Sequence, residues 1–144
     1  MKSILILFLV TVLSLPFAMA DQKRAYPEKD AIIFVTFPDD WEVKMKDGSL
    51  YANPKGDDSL FVEIEAMQAT PDDGAVVMKE AKDSIAENYK NVKYDEVQKA
   101  RYDDLGVVLL NATGEDDDGK VDLAAALIVD EKKGKVVYSL TVHK

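Results

Sequence analysis

The sequence predicts an α+β domain, a mostly antiparallel sheet of about eight strands with one long helix packed on it. Three observations predict it. Alternating or wholly apolar runs of strand length recur from Ile32 to His143. The connections between them are mostly of hairpin length and rich in Asp, Gly and Pro. A single segment, from Thr70 to about Lys90, carries apolar residues at helical spacing.

In chain order, Met1 to Ala20 reads as a cleavable secretory signal. Lys2 gives a short positive region and Ile4 to Leu15 an apolar stretch interrupted only by Thr11 and Ser14; Pro16 ends it and Ala18-Met19-Ala20 supplies a small-x-small cleavage site. The alternative is a retained anchor, but the apolar run is shorter than the ~20 residues that span a bilayer. Residues 1–20 are therefore assigned to the signal, residues 21–30, charged and carrying Pro27, to a flexible leader, and residues 31–144 to a single domain.

Within that domain Ile32 to Phe37 is apolar on both faces, Pro38-Asp39-Asp40 is a turn, and Trp41 to Lys46 alternates strictly. Asp47-Gly48 is a two-residue hairpin signal leading into Ser49 to Asn53, and Pro54 to Asp58 closes that strand. Ser59 to Met67 alternates again, with Leu60, Val62, Ile64 and Ala66 on one face and Glu63 and Glu65 on the other, where they are expected to meet solvent. Thr70-Pro71-Asp72-Asp73 has the threonine cap, first-turn proline and early carboxylates of a helix start, and Val77, Met78, Ala81, Ile85 and Tyr89 form its apolar stripe. Lys93 to Tyr102 reads as a weak edge strand because its charges fall on both faces. Gly106 to Thr113, Val121 to Val129 and Val136 to His143 complete the sheet, separated by the turns Glu115 to Gly119 and Glu131 to Lys135. Val107 to Ala112 and Leu123 to Val129 are apolar on both faces, so both sides of the sheet centre need a cover. One helix covers one side. The other is expected to be a contact face for a protein partner or for self-association.

Composition narrows function mainly by exclusion. The 144-residue chain has a net charge of −9, and removing the signal with its lone Lys2 makes this −10, which repels nucleic acid and anionic lipid alike. There is no cysteine, so disulfides, thiol catalysis, thiolate metal sites and a lipidated N-terminal cysteine are excluded.

The segment Thr36-Phe37-Pro38-Asp39-Asp40-Trp41-Glu42-Val43, the Asp47-Gly48 turn, one helix of this size, and the late pair Gly114 to Gly119 and Leu123 to Val129 resemble the PsbP/DcrB-like family of small exported proteins. The resemblance spans Ile32 to the last residue, and its specific part is the Phe-Pro-x-x-Trp segment. It implies an antiparallel sheet between helical layers, an accessory role and no shared catalytic motif. PsbP-like proteins usually continue into a C-terminal helix. This chain stops at Val142-His143-Lys144, so that helix is expected to be missing or the coding sequence cut short.

No catalytic, cofactor-binding or metal-ligating residue is assigned. The acidic turns Asp39-Asp40, Asp57-Asp58, Asp72-Asp73, Asp103-Asp104 and Asp116-Asp117-Asp118 invite a calcium reading, but with Gly119 at the sixth position of a calcium loop, Gly114 and Ala125 occupy the first and twelfth, where carboxylates are required. They read as solvated turns, with a weak calcium site as the alternative. Trp41 reads as a packing anchor between sheet and helix rather than a ligand platform. His143, the single histidine, is a surface residue too far from Ser139 for a triad, and Met45, Met67 and Met78 are too scattered for copper. The leading expectation is an exported, non-enzymatic accessory or protein-binding domain, periplasmic or extracellular, with no cofactor, no nucleic-acid partner and no membrane contact after cleavage. A binder of a small ligand or divalent cation, using a sheet-edge pocket or the acidic loops, comes second, and a hydrolase with a carboxylate pair third. N-terminal sequencing of protein recovered from cells is expected to start at Asp21; a start at Met1 removes the export reading.

Overall fold

The computed structural model describes residues 21–67 and 74–144. The signal expected over residues 1–20 and the helix start at Thr70 to Asp73 lie outside the described residues. Ten strands and one helix follow in the order β1 (Asp21–Tyr26), β2 (Ile33–Pro38), β3 (Trp41–Lys46), β4 (Ser49–Pro54), β5 (Leu60–Met67), α1 (Gly74–Asn88), β6 (Lys90–Tyr94), β7 (Gln98–Tyr102), β8 (Leu105–Glu115), β9 (Lys120–Asp130) and β10 (Lys135–His143). Eight strands form one sheet in the order β3-β4-β5-β10-β9-β8-β6, with β7 also on β8, while β1 and β2 pair as a separate ribbon. Every pairing is antiparallel. The fold is α+β, as the hairpin-length connections predict.

Turn chemistry sets the register where it is local. Asp47 and Gly48 both take positive φ (51° and 86°), the conformation that a two-residue turn needs to follow the right-handed twist of its strands. The weak edge strand divides in two. β6 and β7 lie end to end along β8, and the pairing shifts from Lys90↔Glu115 to Lys93↔Thr113 and again to Gln98↔Leu109, one residue each time. The other edge of β8 shows no such slip, since β9 pairs with it continuously from Leu105↔Asp130 to Glu115↔Lys120, so the irregularity belongs to the β6–β7 edge.

The helix buries Val77, Ala81 and Ile85 against one face of the sheet, where Leu110, Ala112, Val121, Leu123, Ala125, Leu127, Val136, Tyr138, Leu140 and Val142 complete the core. Its exit is tight. A Cβ at Gly114 would meet the Lys90 carbonyl oxygen and the Tyr89 Cβ at 3.4 Å, so glycine there lets the chain turn from helix into β6 directly over β8.

The opposite face corrects two expectations. Asp21–Tyr26 is not a flexible leader but a strand, in register with β2 from Asp21↔Pro38 to Tyr26↔Ile33. The ribbon it makes lays Tyr26, Ile32, Ile33 and Phe37 over Leu50, Ala52, Ile64, Leu105, Val107, Ile128 and Val137, so the face expected to be bare is covered by this chain itself. Trp41 is in the core, as expected, but on this ribbon side and not between sheet and helix; its ring stacks on Phe37 with centroids 5.7 Å apart. The molecule has three layers: helix, sheet, ribbon.

Backbone pairing does not hold the ribbon to the sheet, so side chains must. Extending the β4–β5 register Leu50↔Ile64 by two residues would bring Gly48 opposite Ala66. The Tyr26 hydroxyl sits there instead, donating to the Gly48 carbonyl at 2.8 Å and accepting from the Ala66 amide at 2.9 Å. Asp30 ties the ribbon loop to the β9–β10 turn through Lys133 at 2.8 Å and Lys135 at 2.9 Å, and these two cations hold its carboxyl down to about 2. The Gln22 side chain donates to the Trp41 carbonyl at 2.9 Å.

Two substitutions test this layer. Trp41→Ala is expected to destabilise by about 3–5 kcal/mol, the cost of truncating a buried large aromatic, read by urea unfolding. Tyr26→Phe keeps the buried ring but strands the Gly48 carbonyl and the Ala66 amide, with an expected loss of about 1–3 kcal/mol. Near-neutral results would mean that the ribbon adds little to the core.

Candidate functional site

Several acids in the described structure are already engaged. Asp104 pairs with Lys132, Glu131 with Arg101, Asp83 with Lys79, and Asp117 with Lys90. The turn that invited a calcium reading is organised from within. Asp116 accepts from the amides of Asp118 and Gly119 at 2.8 and 3.0 Å, and both Asp116 and Asp118 meet Lys144 at 2.8 Å. Lys144, first, and the two amides then hold the Asp116 carboxyl below its ordinary value. Asp57 likewise accepts from the Ser59 amide at 2.8 Å, and Asp72-Asp73 lies outside the described residues. Among the described residues, no three His, Cys, Asp or Glu side chains converge to hold a metal ion.

Glu63 and Glu65 are different. They project from one face of β5, as alternation dictates, but that face is the helix side, and both are half-buried rather than turned to open solvent. The core under α1 draws on β8, β9 and β10, with Phe61 and Met67 of β5 at its margin and nothing from β3 or β4. The helix side of β4 and β5 is thus a shelf beside the helix. Strand register fills it. Tyr51 of β4 stands opposite Glu63, and its hydroxyl donates to the Glu63 carboxylate at 2.6 Å. Tyr138 of β10 stands opposite Glu65 and is 2% exposed.

The electrostatics are those of a negative cluster. Its hydrogen bond to Glu63, then burial, pushes the Tyr51 phenol up to about 12. Burial, then the neighbouring Glu63, raises the Glu65 carboxyl above its ordinary value. Burial dominates the upward shift of Tyr138, followed by Glu65 and Glu63. The Tyr138 hydroxyl is buried with no hydrogen-bond partner among the described residues. The lysine nearest along the row, Lys44 opposite Tyr51, pairs with Glu42 at 2.9 Å. Neither Glu63 nor Glu65 has a cationic partner among the described residues.

Two clefts lie elsewhere. One of about 640 Å³ opens at the far ends of β6, β8 and β9, lined by Asn91, Lys93, Thr113, Glu115, Lys120 and Asp122 among others. Its charges are mixed, and Asn91 donates to Glu115 at 2.8 Å. A smaller one of about 230 Å³ separates the ribbon residues Arg24, Ala25 and Glu28 from Val43, Lys44, Met45 and Leu50. Of the other residues singled out in the sequence, His143 is exposed at the end of β10, Met45 is 46% exposed, and Met67 and Met78 pack at the core margin.

No protein-family model matches the chain, and no curated protein matches it. Among solved structures it is similar to the crystal structure of a protein of unknown function, PA94 from Pseudomonas aeruginosa, at 11% identity and a TM-score of 0.46, over 86% of this chain and 83% of that one. A likeness of that size carries no functional argument.

Alternation alone gave the shared face of Glu63 and Glu65. Tyr51 and Tyr138 were missed, because a tyrosine in an apolar strand has the sequence signature of a core residue and only register sets it beside an acid. A pH test follows from the upward shift at Glu65. Since folding raises this carboxyl, the native state binds more protons than the unfolded chain between the two pKa values, and stability falls as pH rises through that window. Glu65→Gln is therefore expected to be more resistant to urea than the parent at pH 7, with the gap closing once the pH is below the ordinary carboxylate range. A parent more stable than Glu65→Gln at pH 7 would show that the carboxylate has a stabilising partner.

Proposed function

We propose that this chain is an exported, non-catalytic binding domain whose ligand rests on the shelf of Tyr51, Glu63, Glu65 and Tyr138. The observation that carries the reading is the conjunction of two half-buried carboxylates without a cation and a buried phenol without a partner among the described residues. Burying unneutralised charge and an unpaired hydroxyl costs free energy, and folded domains retain such costs where function needs them. Binding is favoured over hydrolysis by geometry. A glycosidase sets its two acids facing one another across the scissile bond, whereas Glu63 and Glu65 leave one strand in the same direction. Export is supported by the signal pattern of Met1 to Ala20, and an accessory role by the resemblance to PsbP/DcrB-like proteins.

A protein partner is the second reading. The ribbon covers the face first expected to meet one, so this reading now rests on the rim, where Phe34 (41%) and Met45 (46%) are exposed and the smaller cleft separates ribbon from β3. An NMR screen of the purified protein with polyols, amines, amino acids and short peptides is expected to move the amide signals of Tyr51, Glu63, Glu65 and Tyr138 without forming product from any of them. Responses confined to the 640 Å³ cleft or to the ribbon rim, or turnover of a probe, would overturn the assignment.

A further inference from the structure

We infer that the shelf takes a protonated amine, an alkylammonium ion, through Glu63, Glu65 and the Tyr138 hydroxyl. This rests on the binding reading above and assigns the chemistry of the ligand.

The contrast among the acids comes first. Elsewhere Asp30, Glu42, Asp83, Asp104, Asp116, Asp117, Asp118 and Glu131 meet a lysine or arginine, and the enclosed Asp130 and Glu115 accept instead from the Lys133 amide and the Asn91 side chain, whereas Glu65 has no donor among the described residues. Glu63 and Glu65 are more enclosed than most of these, yet no cation reaches them among the described residues. Enclosure raises the demand for a counter-charge, because solvent screens half-buried carboxylates less than exposed ones. The missing charge is positive.

Tyr138 supplies the second, independent observation. The residue is 2% exposed, its hydroxyl has no partner among the described residues, and its register position sets it directly across from Glu65. A phenol oxygen accepts as well as donates, and an ammonium group brings three donors and no acceptor. Glu63 and Glu65 offer carboxylate oxygens, and Tyr138, opposite Glu65 in the register, adds a phenol oxygen with no other partner among the described residues. Glu63 keeps its contact with Tyr51 while doing so, because an ionised carboxylate accepts at several lone pairs.

Other ligand classes fit less well. An anion is repelled by the paired carboxylates. A hard divalent cation wants six or more oxygens, and carboxylates two residues apart on a strand have origins about 7 Å apart with no third acid beside them among the described residues. An organic ammonium has the same charge preference with fewer ligands, and it carries an apolar stem. Phe61 lies on the same face of β5 and Tyr51 on the adjacent strand, so aromatic surface is present for that stem and for a cation–π contact.

The test is NMR titration of the purified protein with pentylammonium, with 1-pentanol as a neutral probe of the same stem, with calcium chloride, and with N-acetyl-lysine amide, which carries the ammonium on a peptide side chain. Pentylammonium or the lysine derivative is expected to shift Tyr51, Glu63, Glu65 and Tyr138 and to bind at least about tenfold more tightly than pentanol. The tighter of the two shows whether the natural source is a free amine or a peptide. Glu65→Gln and Glu63→Gln are each expected to weaken that binding about tenfold, and either suffices if the other fails to fold. Equal binding of pentanol and pentylammonium, tighter binding of calcium, or an ammonium response that survives both substitutions overturns the ammonium assignment. Pentanol or calcium binding at these residues would still leave the shelf as a binding site, whereas silence of these residues toward every probe removes the binding reading with it.

Discussion

The centre of the sheet is apolar on both sides, and the rest of the molecule is arranged around the need to cover it. β8, β9 and β10 carry Leu110, Leu123 and Leu140 toward the helix and Val107, Ile128 and Val137 toward the ribbon, all of them buried. Among the described residues one helix, α1, is present, and it covers one side only. The ribbon of β1 and β2 closes the other, and having no ladder to the sheet it depends on Tyr26, Asp30 and Gln22 to set its position. Tyr26 matters most because its ring is in the core while its hydroxyl completes the backbone pairing that β4 and β5 leave open between Gly48 and Ala66.

The same economy governs charge. A strongly acidic chain crowds aspartates at its turns, and lysines meet several of them. Lys144 serves Asp116 and Asp118, Lys133 and Lys135 serve Asp30, and Lys132 serves Asp104. These exposed pairs add little stability individually, since solvent screens them. Their more useful consequence is positional, because they tie turns from distant parts of the sequence to one another. Against that background Glu63 and Glu65 stand out as two enclosed acids side by side on one strand face with no cation among the described residues.

Local chemistry made much of the fold legible. The Asp47-Gly48 turn, the alternation of Trp41 to Lys46 and the 3.6-residue spacing of Val77, Ala81 and Ile85 each encode their own element, and the two-faced apolar strands announced that two covers exist. The leader was misread because Asp21–Tyr26 carries Asp, Gln, Lys and Arg, a composition that suits either a solvated tail or an exposed ribbon edge, and only pairing with β2 distinguishes them. Trp41 was rightly assigned to the core and wrongly to its helix side. Alternation says which residues share a face; it does not say which layer that face meets.

The sequence by itself determined the helix and most of the strand segments, the antiparallel class, the negative charge and the absence of thiol chemistry, since each depends on composition or on spacing within a few residues. Tertiary structure alone decided that the ribbon folds back over the sheet, that β6 and β7 share one edge of β8, and that Tyr51, Glu63, Glu65 and Tyr138 meet. Those residues come from three strands, and Tyr138 lies more than seventy positions from Glu65 in the chain although it is paired with it across the sheet. Register is fixed by packing both faces at once, a condition on the whole sheet that no local pattern contains.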